Sequence, residues 1–329
     1  MNSYFIPLIG SEVALSLYPQ LIKLIPTTIE NQVATRCITY SILAIIGYYI
    51  THNRSNKSIN TPSKTNTLSF ISTSIVMGIV NIIHIISSYM CFNTLSSGVG
   101  YSIFYMYPIF NLLGRTFIYN ENIDSVNYIY ILISILGVYL ISKHTKKETN
   151  LEHIPEPKPE PNPEHNTAKK DNFINVNVNN INDILNTKNT TIGIAAGIIS
   201  ALTESIIYFM VKDNLVSVSP FIQLLKTYLL GGILSIIYLL KNIITPTTTH
   251  LDYHYWITLI LFNAIIGFAG YLLRFIMIPQ LSTLLFNSLI FTGVIFSYIW
   301  GYILSNEPIT YNNLSGTLLI LSSIFLINK

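Results

Sequence analysis

Charge is what this sequence has least of. Only 10% of its 329 residues are Asp, Glu, Lys or Arg, against 50% hydrophobic, and the mean hydropathy is +0.50. A water-soluble domain of that composition would expose large apolar patches, so a soluble globular fold is excluded. The net charge of +3 is too small and too dispersed to argue for a nucleic-acid partner. Cysteine is nearly absent. Cys37 and Cys91 lie inside apolar segments with no partner motif, so neither a disulfide framework nor a metal knuckle is implied. There is no glycine loop to cradle phosphate, hence no sign of direct ATP drive. His250 and His254, with Asp252 between them, have the spacing of a metal face but no third ligand in reach, and the clustered histidines of a membrane di-iron enzyme are missing. No enzyme, metal or cofactor is expected.

What is present is a series of apolar runs, each close to the twenty or so residues that cross a bilayer. The first, residues 4–24, is interrupted by Glu12 and Pro19 and lacks the basic leader of a secretory signal, so it is a retained helix. Further spans are predicted over 32–50, 68–92, 97–118 and 128–141. The chain then turns charged and Asn-rich, with Pro155, Pro157, Pro159, Pro161 and Pro163 alternating with polar residues. Such a run favours extended polyproline conformation and cannot bury apolar area. Five more spans follow, over 190–211, 220–240, 256–278, 284–304 and 314–327. The expected fold is all-α and polytopic, with ten transmembrane helices. Its divisions are a first five-helix unit, 1–143, a Pro/Glu/Asn-rich linker, 144–188, and a second five-helix unit, 189–329.

The two units are related. Residues 281–329 lie over residues 95–143 without a gap, pairing Leu95-Ser96 with Leu281-Ser282, Ile109-Phe110 with Ile295-Phe296 and Asn120-Glu121 with Asn306-Glu307. Each copy reads as two spans joined by a turn that carries one acid, Glu121 or Glu307. The opening helices correspond as well, matching Ser11 with Ser200, Ser16 with Ser205 and Lys23 with Lys212. An odd number of spans per unit means that the second enters the membrane from the opposite side. The result is an inverted repeat, an arrangement of many secondary transporters.

The closing segment narrows the class. Phe291-Thr292-Gly293-Val294-Ile295-Phe296, then Trp300-Gly301, then Asn306-Glu307-Pro308-Ile309-Thr310, then Gly316 in a final apolar helix, resembles the end of an EamA-type repeat of the drug/metabolite transporter superfamily. Tyr107-Pro108-Ile109-Phe110 and Asn120-Glu121-Asn122-Ile123 resemble the same motif in the first unit. Two departures stand out: the long linker, and Tyr130 where the second copy has Gly316. The resemblance implies an uncoupled or exchange-type carrier of small metabolites, with both termini in the cytosol.

Polar groups inside the spans mark the candidate substrate site. Asn81, His84, Ser88 and Cys91 recur at spacings of three and four, so they share one helix face. The repeat carries that face to Gly267, Gly270, Arg274 and Met277. An ionisable group at membrane depth costs several kcal/mol unless it meets a bundle interior or a wet cavity, so Asn81, His84 and Arg274 are read as lining the translocation path. Helix packing through small residues, with Asn and His as interhelical partners, is the alternative. Glu12 and Glu204 sit near the middle of the first helix of each unit. Either they carry protons or bind a cationic substrate, or they pair with Arg274 or Lys226 as a structural bridge. Tyr101 and its repeat partner Asn287 complete the substrate-binding set. Arg36, Lys226 and Arg115 are expected to snorkel to the headgroups, and Glu121 and Glu307 to cap the helix that follows each.

The sequence therefore points to a secondary transporter that moves a small polar metabolite, amino-acid-like or cationic, by alternating access. The partners expected are that small molecule, the lipid bilayer, protons as coupling ion and a second copy of the chain in a homodimer. Two alternatives stay open. One is a nucleotide-sugar or sugar-phosphate exchanger, which wants paired basic residues where Arg274 stands nearly alone. The other is a non-transporting membrane scaffold that recruits partners through its Pro-rich stretch.

Overall fold

The computed structural model describes residues 5–55, 67–120, 124–148, 178–213, 219–244, 253–281 and 283–327. Glu121, His250, Asp252 and the prolines of the linker lie outside the described residues. In chain order the helices are α1 (Phe5–Leu15), α2 (Tyr18–Leu24), α3 (Ile29–Ser55), α4 (Thr67–Thr94), α5 (Ser97–Phe104), α6 (Tyr107–Tyr119) and α7 (Ser125–Glu148). They continue with α8 (Val178–Asp213), α9 (Pro220–Ile244), α10 (Tyr253–Leu261), a π-helical stretch (Phe262–Gly267), α11 (Phe268–Gln280), α12 (Thr283–Ser305) and α13 (Tyr311–Ile327). Six helical segments are long and apolar enough to cross a membrane, and shorter apolar helices accompany them.

Two spans predicted as single helices are each broken in two. Proline has no N–H, and its ring clashes with the carbonyl four residues earlier. Four residues before Pro19 is Leu15, where α1 ends, and four before Pro108 is Phe104, where α5 ends. The chain restarts with each proline in the first turn of α2 and α6. At the joints the ladder shortens to three-residue bonds, Leu17 N–H to Ala14 O at 3.2 Å and Met106 N–H to Ile103 O at 3.1 Å. The span over 256–278 is continuous but changes pitch. Its π-helical stretch begins at Phe262, where Asn263 turns its side-chain amide back to Leu259 O at 2.9 Å.

The packing is inside out by the standard of a soluble protein. On α4, Ile71, Ile75, Ile79 and Ile83 recur every four residues and are all exposed, while Met77, Asn81, His84, Ser88 and Cys91 on the opposite face are buried. An apolar stripe turned outward is stable only where the surroundings are themselves apolar. In the bundle α3 lies on α9, α7 on α13, α4 on α8 and α9, α1 on α11 and α12, and α5 on α12. This brings the broken spans α1–α2 and α5–α6 into the middle.

The repeated Asn-Glu pair has a backbone reason. Asn120 and Asn306 both adopt left-handed backbone, with φ of 53° and 51°, and they are the non-glycine residues with positive φ among those described. Asparagine tolerates that conformation, which ends a helix and turns the chain sharply.

Candidate functional site

The breaks carry the chemistry. Glu12 lies in the last turn of α1 and Tyr105 in the joint between α5 and α6, and the Tyr105 hydroxyl donates a hydrogen bond to Glu12 Oε2. Gly293 of α12 allows the approach: a Cβ there would lie 2.9 Å from both Glu12 Oε2 and the Tyr105 hydroxyl. Glu12 Oε1 faces Arg274 Nε of α11 at 3.9 Å. Arg274 reaches further with Nη2, to Glu204 Oε1 of α8 at 3.0 Å and to the Tyr107 hydroxyl at 2.8 Å. His84 of α4 closes the cluster, with Nε2 at 3.4 Å from Glu204 Oε2 and Nδ1 at 3.2 Å from Ser200 O. Two ionisable residues from each half of the chain, on α1, α4, α8 and α11, thus meet in one buried group.

Beside this cluster lies a narrow cavity lined by His84, Tyr101 and Arg274 together with Leu15, Tyr18, Arg36, Ser88, Phe92, Phe104 and Tyr271. Glu12 and Glu204 do not line this space but pair with Arg274, which does. Asn81 and Asn287 are buried but do not line it. The seven sequence-marked residues therefore fall into three groups: cavity wall (His84, Tyr101, Arg274), charge support (Glu12, Glu204) and buried positions off the cavity (Asn81, Asn287).

Arg36 is the residue that sequence reasoning misplaced. It does not snorkel: it is 2% exposed, and its guanidinium carbon sits 4.6 Å from the Tyr18 ring centre, 4.7 Å from Tyr271 and 5.4 Å from Tyr40. The rings of Tyr89 and Tyr228 complete the cage. The span containing Arg36 starts at Ile29, so this residue is two turns inside the helix, and neighbouring aromatic helices leave its chain no exit to a headgroup. The five tyrosines are scattered over five spans, which is why no local pattern announced the cage. Lys226 does not reach out either. It is 9% exposed, with its ammonium 5.1 Å from the centre of the Phe70 ring.

Glu307 also departs from expectation. It caps not its own following helix but the start of α5, accepting the Ser97 N–H at 2.7 Å and the Ser97 hydroxyl at 2.9 Å, and it pairs with Lys23 at the end of α2. A carboxylate at a helix start satisfies amides that have no partner within the helix. Gln20 donates to the same Ser97 hydroxyl at 2.6 Å and accepts from Ser305. These contacts latch α2, α5 and α12 together at one end of the bundle. The repeat mate of Lys23, Lys212, is bound instead to the carbonyls of Ile278 and Leu281, at 3.0 and 2.7 Å.

Comparison with known proteins agrees with the family named by the closing motifs. The model of the EamA-like transporter family matches residues 191–329. No curated protein matches the chain. One solved chain, described only as "Crystal structure of protein", shares the fold over 98% of this chain and 96% of its own, with a TM-score of 0.54 and 11% identity. Over residues 191–329, then, this integral, multi-pass membrane chain matches the EamA-like transporter family, consistent with the drug/metabolite transporter superfamily.

Proposed function

We propose that the protein is a secondary carrier that moves a small polar metabolite by alternating access between two inverted five-helix halves, residues 1–143 and 189–329, joined by the linker 144–188. The observation that carries this reading is the convergence of Glu12 and His84 from one half with Glu204 and Arg274 from the other at a buried, cavity-facing point. Charges at such depth are expensive, and they are found where a wet path needs them.

The helix pairing supports the inverted halves. Taking the spans in order equates α1–α2 with α8, α3 with α9, α4 with α10–α11, α5–α6 with α12 and α7 with α13. Three of these packings, α3 on α9, α5 on α12 and α7 on α13, join a span to its own counterpart, as elements beside a two-fold axis do. Further packings come in mates: α1 on α11 answers α4 on α8, and α1 on α12 answers α5 and α6 on α8.

In reconstituted vesicles, a panel of metabolites is expected to include one whose uptake is saturable; no flux for any of them would favour the scaffold reading. Uptake driven by a pH gradient is expected to be lost in Glu12→Gln or Glu204→Gln, and survival in both variants would remove protons as the coupling ion. Cysteine labelling at Ser3, Ser58 and Lys329 checks the cytosolic placement of the termini.

The Lys23–Glu307 latch belongs to the same cycle. It closes one end of the bundle, while Lys212, its mate, makes no such pair with a described acid. The native cysteines are buried, so a Ser305→Cys variant reports on this end alone. Its reaction with a water-soluble maleimide is expected to quicken several-fold when Glu307→Gln is added. An unchanged rate would show that the latch does not close the path.

The exchanger alternative gains one specific observation. Arg36 gives the cavity the second cation that phosphate recognition wants and that the sequence had placed elsewhere.

A further inference from the structure

Arg36 has no counter-charge among the described residues. Glu12 and Glu204 both face Arg274, and no Asp or Glu pairs with Arg36 among the described residues. Its one hydrogen bond within ordinary geometry runs from Nη2 to the Tyr228 hydroxyl at 3.1 Å, and its Nε has no acceptor. The Tyr89 hydroxyl, in the same cage, is buried beside Arg36 and makes no other hydrogen bond of ordinary geometry. Tyrosine faces offset part of the cost of burying the cation. They do not replace a counter-ion, because the N–H groups point along the guanidinium plane and need acceptors there, which ring faces above and below it do not supply.

The cage also borders the cavity. Arg36 lines the same narrow cavity as Arg274, with Tyr18 and Tyr271 also in its wall. Tyr18 is held by hydrogen bonds to the Tyr40 hydroxyl at 2.6 Å and to Asn263 Oδ1 at 2.7 Å, so the cage is braced from α3 and from the π-helical stretch.

We propose that Arg36 is a substrate-binding residue, and that its ligand is the anionic group of the transported solute, a carboxylate or a phosphate ester. The planar fork of an arginine matches either group with two parallel hydrogen bonds, and the Tyr89 hydroxyl beside it can supply a further donor. The solute spans from the cage toward Arg274 and His84, so its far end meets a centre where Glu204 and Glu12 already balance the arginine. This assignment rests on the carrier reading for the word "transported" only; the anion site stands on its own geometry.

The test is binding to the purified full-length protein by calorimetry, with two arms. Glycine and L-glutamate form the carboxylate arm, inorganic phosphate and glycerol 3-phosphate the phosphate arm, and glucose and choline are the uncharged and cationic controls. One arm is expected to bind. Arg36→Gln is expected to weaken that binding tenfold or more, Arg36→Lys less than Arg36→Gln because a charge remains, and Tyr89→Phe several-fold. No binding in either arm overturns the proposal, and so does an affinity that Arg36→Gln leaves unchanged while the melting temperature falls, since that is an arginine that only braces the helices. If Arg36→Gln does not fold, unchanged affinity in both Arg36→Lys and Tyr89→Phe overturns it equally. Vesicle flux separates the two readings. Anion binding without flux refutes the carrier and keeps the site, and flux of a glucose- or choline-like solute untouched by Arg36→Lys refutes the site and keeps the carrier.

Discussion

Arg274→Gln is expected to abolish uptake and to destabilise the protein by about 3–5 kcal/mol, the usual loss when one partner of a buried ion pair is removed. The loss comes from what stays behind. Glu204 Oε1 forfeits its 3.0 Å partner, Glu12 Oε1 forfeits its 3.9 Å partner, and the Tyr107 hydroxyl loses the donor at 2.8 Å. Adding Glu204→Gln to Arg274→Gln removes the stranded carboxylate, so the double variant is expected to recover part of the melting temperature. It is not expected to recover uptake. Such non-additivity is the mark of a direct pair. Equal melting curves for wild type and Arg274→Gln would show that this cluster does not hold the bundle together. The distances also order the two acids: Glu204→Gln is expected to cost more stability than Glu12→Gln.

The second large effect is steric. A Cβ on Gly316 of α13 would lie 2.7 Å from the carbonyl oxygen of Gly137 on α7, and a Cβ on Gly137 would lie 2.6 Å from Gly316 O. These are backbone atoms, which cannot swing aside, so the two helices must part. Gly316→Ala and Gly137→Ala are each expected to cost about 1–3 kcal/mol, the range of overpacking in a close-packed interior. Gly10→Ala is the control, since nothing lies within 4 Å of a Cβ there. It is expected to leave the thermal melt unchanged or slightly raised, because alanine is the better helix former. A Gly316→Ala melt that matches Gly10→Ala would remove the close approach of α7 and α13.

Much of the molecule was readable in advance because the relevant physics is local. Twenty-residue apolar runs, a polar linker rich in proline and the Asn-Glu turns each depend on residues adjacent in the chain. The broken spans were within reach too, since Pro19 and Pro108 interrupt any helix that meets them. Reading those spans as single helices overlooked the clash with the carbonyls of Leu15 and Phe104. Gly316 stood out as a motif residue, but the residue it faces did not, because its own repeat partner is Tyr130 and the glycine opposite it is Gly137.

The site divides along the same line. That Glu12, His84, Glu204 and Arg274 needed a reason to be inside a membrane followed from their chemistry alone, since lipid offers no solvation to a charge. Which of them pair did not follow, because Arg274 meets Glu12 and Glu204 across large separations in sequence that only helix packing closes. Arg36 shows the limit most plainly. Nearness to a helix end suggested an escape to the headgroups, whereas five tyrosines from five spans enclose it. The sequence by itself thus determined that this is a polytopic helical membrane protein carrying an EamA-like half and a few intramembrane charges. Tertiary structure alone decided which charges neutralise one another and which cation is left facing the cavity, because ion pairing at this depth depends on distances of a few ångströms between helices far apart in the chain.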